Sequence, residues 1–130
     1  AHAPSKVKAT KDAVLEQFKD YRIVTCLELH TYSSLDITFL KNYSDTLEGV
    51  DKIIIFYSSK VLKAKNREAI SSFQIKESFN NQNIELITNL SKLNKNLFSD
   101  DFSKTLVLMM SSGNFGGFNF KKFISYIENF

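Results

Sequence analysis

A chain of 130 residues with 43% hydrophobic content has the size of one ordinary domain and can bury a core of its own. Its net charge of +3 comes from 15 dispersed lysines and two arginines against 14 acids, which argues against a nucleic-acid binder, since that needs a basic stripe interleaved with aromatics. No apolar run approaches the roughly 20 residues of a membrane span, and no charged-then-apolar signal segment opens the chain, so a soluble cytoplasmic protein is expected. Cys26 is the only cysteine and lies inside an apolar run. An internal disulfide and a cysteine metal cluster are therefore both excluded, and a buried, inert thiol is expected. The opening Ala1-His2-Ala3-Pro4 has no initiator methionine, as expected of a piece processed or excised from something longer.

In chain order, Pro4 and Ser5 are good helix-start residues, and Val7, Val14, Leu15 and Phe18 recur on one face of a helix ending near Asp20. The period then changes to a strand, Ile23 to Leu29, followed by the polar turn His30-Thr31-Tyr32-Ser33-Ser34. A second helix is expected in which Ile37, Leu40 and Leu47 share a face, with Gly49 just beyond its end. The continuous run Ile53-Ile54-Ile55-Phe56-Tyr57 reads as a central parallel strand covered on both faces. Ser58 to Arg67 carries no decisive signal. A helix in which Phe73 or Ile75 through Phe79 packs inward comes next, then a turn over Asn80-Asn81-Gln82-Asn83 and a short strand from Ile84 to Ile87. Leu90, Leu93 and Leu97 mark a short helix, Thr105 to Met110 the last strand, and Phe120, Phe123, Ile124 and Ile127 the clearest helical face. Strands alternating with helices, without hairpin signals, predict an α/β, Rossmann-like, three-layer domain: a mostly parallel sheet flanked by helices, with residues 1–130 as one unit.

Three loops are candidates for chemistry. Three of the four glycines fall in Ser111-Ser112-Gly113-Asn114-Phe115-Gly116-Gly117, between the last strand and the last helix. Such a loop presents free N–H groups and a helix N-terminus, which favour an anion; it is equally a tight turn in which glycine only relieves sterics. The loop from His30 also follows a strand, so the sheet places both loops on one edge, where open α/β sheets bind their ligands. The third is His2-Ala3-Pro4-Ser5. Each histidine is either a ligand contact or a surface and capping residue. Glu28 precedes His30 by two residues and on a continuing strand would share its face, either hydrogen-bonded to it or as a solvated pair. Phosphate-loop, dinucleotide, zinc-protease and nucleophile-elbow motifs are absent, and two histidines without cysteines make a structural metal site unexpected. So few arginines suggest half of a site, with cationic groups supplied from elsewhere.

At these loops the sequence resembles the C-terminal domain of the Mur ligases of peptidoglycan synthesis. Ala1-His2-Ala3-Pro4 is similar to the family's A/G-H-x-P signature, and Leu29-His30-Thr31-Tyr32-Ser33-Ser34 to its post-strand P-H-R-Y-x-R motif. Met110-Ser111-Ser112-Gly113-Asn114-Phe115-Gly116-Gly117 is similar to the M-S-N-G-x-F-G-G loop of the branch that joins UDP-N-acetylmuramate to L-alanine or to a recycled tripeptide. The resemblance implies an ATP-dependent, ADP-forming amide ligase whose ATP and Mg2+ are bound mainly by a central domain absent from this chain. It implies a C-terminal domain, inactive alone, that closes over the nucleotide and presents the amine substrate. Its partners would be UDP-N-acetylmuramate, L-alanine or a peptide, and the missing N-terminal and central domains. His30, Ser34, Ser111, Ser112, Gly113, Asn114 and Gly116 then face the substrate, and His2, Pro4 and Tyr32 the nucleotide. No residue of this chain is assigned to the chemical step or to a metal. The family's proline is Leu29 here, and its two arginines are Thr31 and Ser34, so hydroxyls stand where guanidinium groups would hold an anion, with Lys60 or Lys63 as candidate replacements. A stand-alone flavodoxin-like binding module, with Thr31, Ser33 and Ser34 around a phosphate, is the alternative. A receiver domain ranks below it because its paired acids are missing.

Overall fold

The computed structural model describes residues 3–30, 36–60 and 69–130. Its four described strands are β1 (Arg22–Glu28), β2 (Lys52–Phe56), β3 (Ile84–Ile87) and β4 (Thr105–Met110). They form one sheet in the order β3-β2-β1-β4, and every pairing is parallel. The registers set Leu27 beside Ile55 and Met110, and Glu28 beside Phe56. The apolar runs of β1 and β2 are near-continuous because both their faces are covered, as parallel sheets require.

Five described α-helices supply the cover: α1 (Pro4–Gln17), α2 (Ile37–Leu40), α3 (Ser72–Phe79), α4 (Leu90–Leu97) and α5 (Phe120–Ile127). Strand alternation divides the core in two. Ile23, Leu27, Ile53, Ile55 and Met110 pack with Val7 of α1, Leu40 of α2 and Phe79 of α3 on one face. Val24, Cys26, Ile54 and Phe56 pack with Leu93 and Leu97 of α4 and Phe123 of α5 on the other. The result is the three-layer α/β arrangement expected from the alternating elements.

Local chemistry explains where the helices start. Pro4 takes the first helical position of α1, where a missing N–H costs nothing. Asp36 accepts from the N–H of Thr38 at 2.8 Å, and Ser71 and Gln74 form a reciprocal capping box on α3. Asn89 and Asn119 cap α4 and α5 by accepting from the N–H of Lys92 and Lys122.

One periodicity reading needs correction, and two are narrowed. The second helix does not reach Leu47: α2 stops at Leu40, tightens into a 3-10 turn over Lys41–Tyr43, and breaks where Asp45 takes a left-handed φ of 63°. Leu47 is buried from the following turn, and Ile37 is 40% exposed, so the three residues do not share a helical face. Gly49 has φ +89° but closes that turn and not a helix. In α3, Ile75 and Phe79 pack inward while Phe73 is 73% exposed, because Phe73 lies two positions from Ile75 and on the other side of the cylinder. In α5 only Phe123 of the four-residue face is fully buried, and Ile124 is 56% exposed.

Candidate functional site

The chain leaves β1 toward α2 on one face of the sheet and leaves β4 toward α5 on the other. Two neighbouring parallel strands whose connections diverge in this way open a crevice at their carboxyl ends, the topological switch point of an open α/β sheet. Glu28 and His30 stand at the end of β1, and Ser111 to Gly117 leave β4 directly beside them.

Glu28 organises this crevice. Its side chain is 2% exposed, and its Oε1 accepts from the Ser111 hydroxyl at 2.5 Å and from the backbone N–H of Phe115 at 2.8 Å. Ser111 Oγ in turn accepts from the N–H of Gly113 at 2.7 Å. Glu28 Oε2 lies 3.8 Å from His30 Nδ1. That nitrogen is buried and has no hydrogen-bond partner among the described residues, although the side chain as a whole is 39% exposed. A buried carboxylate is tolerable here because its charge is met by converging donors.

The glycines divide into two kinds. At Gly113 a Cβ would stand 2.8 Å from His30 Cγ, 2.9 Å from Glu28 Oε1 and 3.0 Å from His30 Nδ1, so the backbone passes over the carboxylate and imidazole with no room for a side chain. Gly116 and Gly117 are needed for positive φ, +65° and +90°. Phe115, directly before them, is also left-handed, at φ 53°, although it is not glycine. Burial of its ring against Phe56 and Phe120, together with its N–H bond to Glu28, holds it there.

Of the two readings of the glycine loop, anion cradle and tight turn, this geometry favours the turn. The N–H groups of Gly113, Phe115 and Gly117 are taken by Ser111, Glu28 and Asn114, and the first turn of α5 is capped by Asn119. Beneath the loop lies a carboxylate, which repels phosphate and suits a cation or a hydrogen-bond donor. Among the predicted site residues, Ser111, Gly113 and His30 are brought together. Ser112, Asn114 and Gly116 are exposed on the same loop, with Gly116 backing onto Phe56. Pro4 opens α1. His2, Tyr32, Ser34 and the alternative phosphate-binding hydroxyls Thr31 and Ser33 lie outside the described residues, as does Lys63. Sequence reasoning placed Glu28 beside His30 but missed its bonds to Ser111 and Phe115; the signal was an acid within the apolar run from Ile23 to Leu29. No cluster of three metal-ligating side chains occurs among the described residues.

A four-stranded, all-parallel sheet covered by helices on both faces is a Rossmann-like fold. Within that class the chain resembles the C-terminal domain of the Mur ligases. It is 33% identical over 89 residues, 67% of its length, to a UDP-N-acetylmuramate–L-alanine ligase of Fusobacterium nucleatum. It is 28% identical over 117 residues, 87% of its length, to the ligase of that name from Levilactobacillus brevis. These matches cover 18% and 24% of the relatives, so the chain spans at most about a quarter of the curated relatives' length. No protein-family model matches the chain. In structure it is similar to a domain ascribed to a UDP-N-acetylmuramate:L-alanyl-γ-D-glutamyl-meso-diaminopimelate ligase of Haemophilus ducreyi, with a TM-score of 0.61 at 20% identity over 97% of this chain and 85% of that one. It also matches a murein peptide ligase of Psychrobacter arcticus, with a TM-score of 0.69 at 14% identity over all of this chain and 26% of that one. At those identities the structural likeness speaks for the fold.

Proposed function

We propose that this chain is the substrate-closing domain of an ATP-dependent, ADP-forming amide ligase that joins UDP-N-acetylmuramate to L-alanine or a peptide in cell-wall synthesis or recycling. One observation carries the reading: the loop most similar to the family motif is pinned by Glu28 over His30 at the switch point, with a carboxylate under it that holds the Phe115 amide. Such a wall suits the amine-bearing substrate better than a phosphate. The names of the relatives supply the reaction class.

In this reading ATP and Mg2+ are held mainly by the ligase's central domain, outside these 130 residues, and this chain contributes the amine side of the site by rigid-body closure. Ser112, Asn114 and Gly116 line the exposed rim of the loop, and His30 the floor. His2, Pro4 and Tyr32 are proposed to approach the nucleotide.

The test is reconstitution. A polypeptide joining this chain to an upstream segment that carries G-x-x-x-x-G-K-[ST] is expected to release ADP only when UDP-N-acetylmuramate and L-alanine or the tripeptide are both present. The 130-residue chain by itself is expected to do neither ATP hydrolysis nor ligation. Amide formation by the isolated chain, or no ADP release from the joined polypeptide, refutes the proposal.

A further inference from the structure

We propose that Glu28 is a positioning residue that holds His30 with its proton on Nδ1, leaving Nε2 as the group that accepts a proton from the ammonium of the amine substrate. This deepens the ligase reading and rests on it for the identity of the donor.

Glu28 Oε1 is fixed by the Ser111 hydroxyl and the Phe115 N–H, so the carboxyl group cannot rotate freely. Its second oxygen is thereby presented, at 3.8 Å, to His30 Nδ1, which is buried without a hydrogen-bond partner among the described residues, in a side chain that is 39% exposed as a whole. Gly113 lies against both groups so closely that a Cβ there would come within 3.0 Å of each, which leaves no room for a side chain over the gap. A buried carboxylate oxygen has lone pairs only, so the ring nitrogen facing it is stable as a donor, and a neutral imidazole with Nδ1–H has its acceptor at Nε2. The 3.8 Å separation exceeds hydrogen-bond length, and catalytic hydrogen bonds that are long in the unliganded state commonly tighten when substrate binds. The step balances simply: the N–H bond of R–NH3+ breaks, the proton goes to Nε2, and the electron pair stays on the amine, which becomes nucleophilic. The imidazolium so formed is stabilised by the Glu28 carboxylate behind it, as in other carboxylate–imidazole pairs.

Glu28→Gln separates this role from a purely structural one. Ser111 and Phe115 both donate to Oε1, so the glutamine must keep its carbonyl oxygen there and turn its NH2 toward His30. That NH2 donates to Nδ1 and forces the proton to Nε2. Long-range proton–nitrogen correlation spectra of the 130-residue chain with 15N-labelled histidine are expected to show neutral His30 protonated on Nδ1 in the wild type and on Nε2 in E28Q. Wild-type His30 protonated on Nε2, or the same tautomer in both proteins, overturns the proposal. Should E28Q fail to fold, the wild-type tautomer decides alone.

In the joined ligase, E28Q is expected to lower kcat about 100-fold near pH 7. The deficit should shrink as pH rises and more of the amine arrives already unprotonated, an effect that a loosened loop would not give. A deficit that stays constant with pH overturns the proton-acceptor role. A wild-type joined ligase that forms no amide refutes the ligase reading, and the proton-acceptor role falls with it, while the tautomer result still judges the Glu28–His30 pair.

Discussion

Gly113 is held to glycine by its neighbours, whereas Gly117 is held to glycine by its backbone angle. A Cβ at Gly113 collides with His30 and Glu28, but one at Gly117, with φ +90°, meets nothing within 4 Å. Gly113→Ala is therefore expected to cost about 2 kcal/mol through overpacking and to displace His30. Gly117→Ala should cost only about 1 kcal/mol of backbone strain. Urea unfolding of both variants checks the ranking, and a G113A as mild as G117A contradicts the packing geometry. Cys26 behaves at this scale as its apolar setting predicts. Burial pushes its thiol from 9.0 up to about 12, with a smaller opposing effect from Lys52. In the folded chain it should resist thiol reagents at pH 8. Between about pH 9 and 12 the unfolded state loses this proton and the folded state keeps it, so stability falls with rising pH by up to about 1.4 kcal/mol per unit. A Cys26→Ala variant should lack that part of the slope in unfolding titrations.

At the scale of elements, one acid ties the amino-terminal end of the sheet together. Asp100, after α4, accepts from Lys52 of β2 at 2.8 Å and from Arg22 of β1 at 3.1 Å, and its backbone carbonyl accepts from Tyr126 of α5 at 2.7 Å. Burial works against its ionised form, but the hydrogen bonds and charges of Lys52 and Arg22 outweigh that and hold its carboxyl below the usual range. Its contribution is thus present above the ordinary carboxylate pKa of 3.8 and is lost as pH falls through the lowered folded value. Asp100→Asn is expected to destabilise by about 1 kcal/mol at pH 7 and to match the wild type at strongly acid pH, as read by denaturant midpoints. Element identity was legible because strand and helix periods alternate cleanly. The end of α2 was not, since Ile37, Leu40 and Leu47 keep a helical spacing across a chain that has turned at Asp45. Spacing records which residues are apolar, and Leu47 is buried equally well from a turn.

Over the whole molecule, position in the sheet sets local stability. β1 pairs with strands on both sides and is buried throughout beyond Arg22, whereas β4 pairs only with β1 among the described residues and is half-buried along most of its length. Hydrogen exchange should accordingly be slowest for β1 and β2 amides and faster for β4. The Phe115 amide should be an exception, exchanging with the protection of the core through its bond to Glu28. Rapid exchange of Phe115 in a stably folded chain contradicts the pinned loop.

The α/β class, the four strands, the buried thiol and the shared edge from which His30 and Ser111 leave their strands were legible in the residues alone, because each follows from local periodicity and from the rule that parallel strands share a carboxyl end. What the glycine loop faces came from the packing of distant segments. Ser111 and Glu28 are 83 residues apart, and β1 meets β4 only through the strand order, so no local pattern shows that the amides of Gly113, Phe115 and Gly117 are spent on internal bonds or that a buried carboxylate lies beneath the loop.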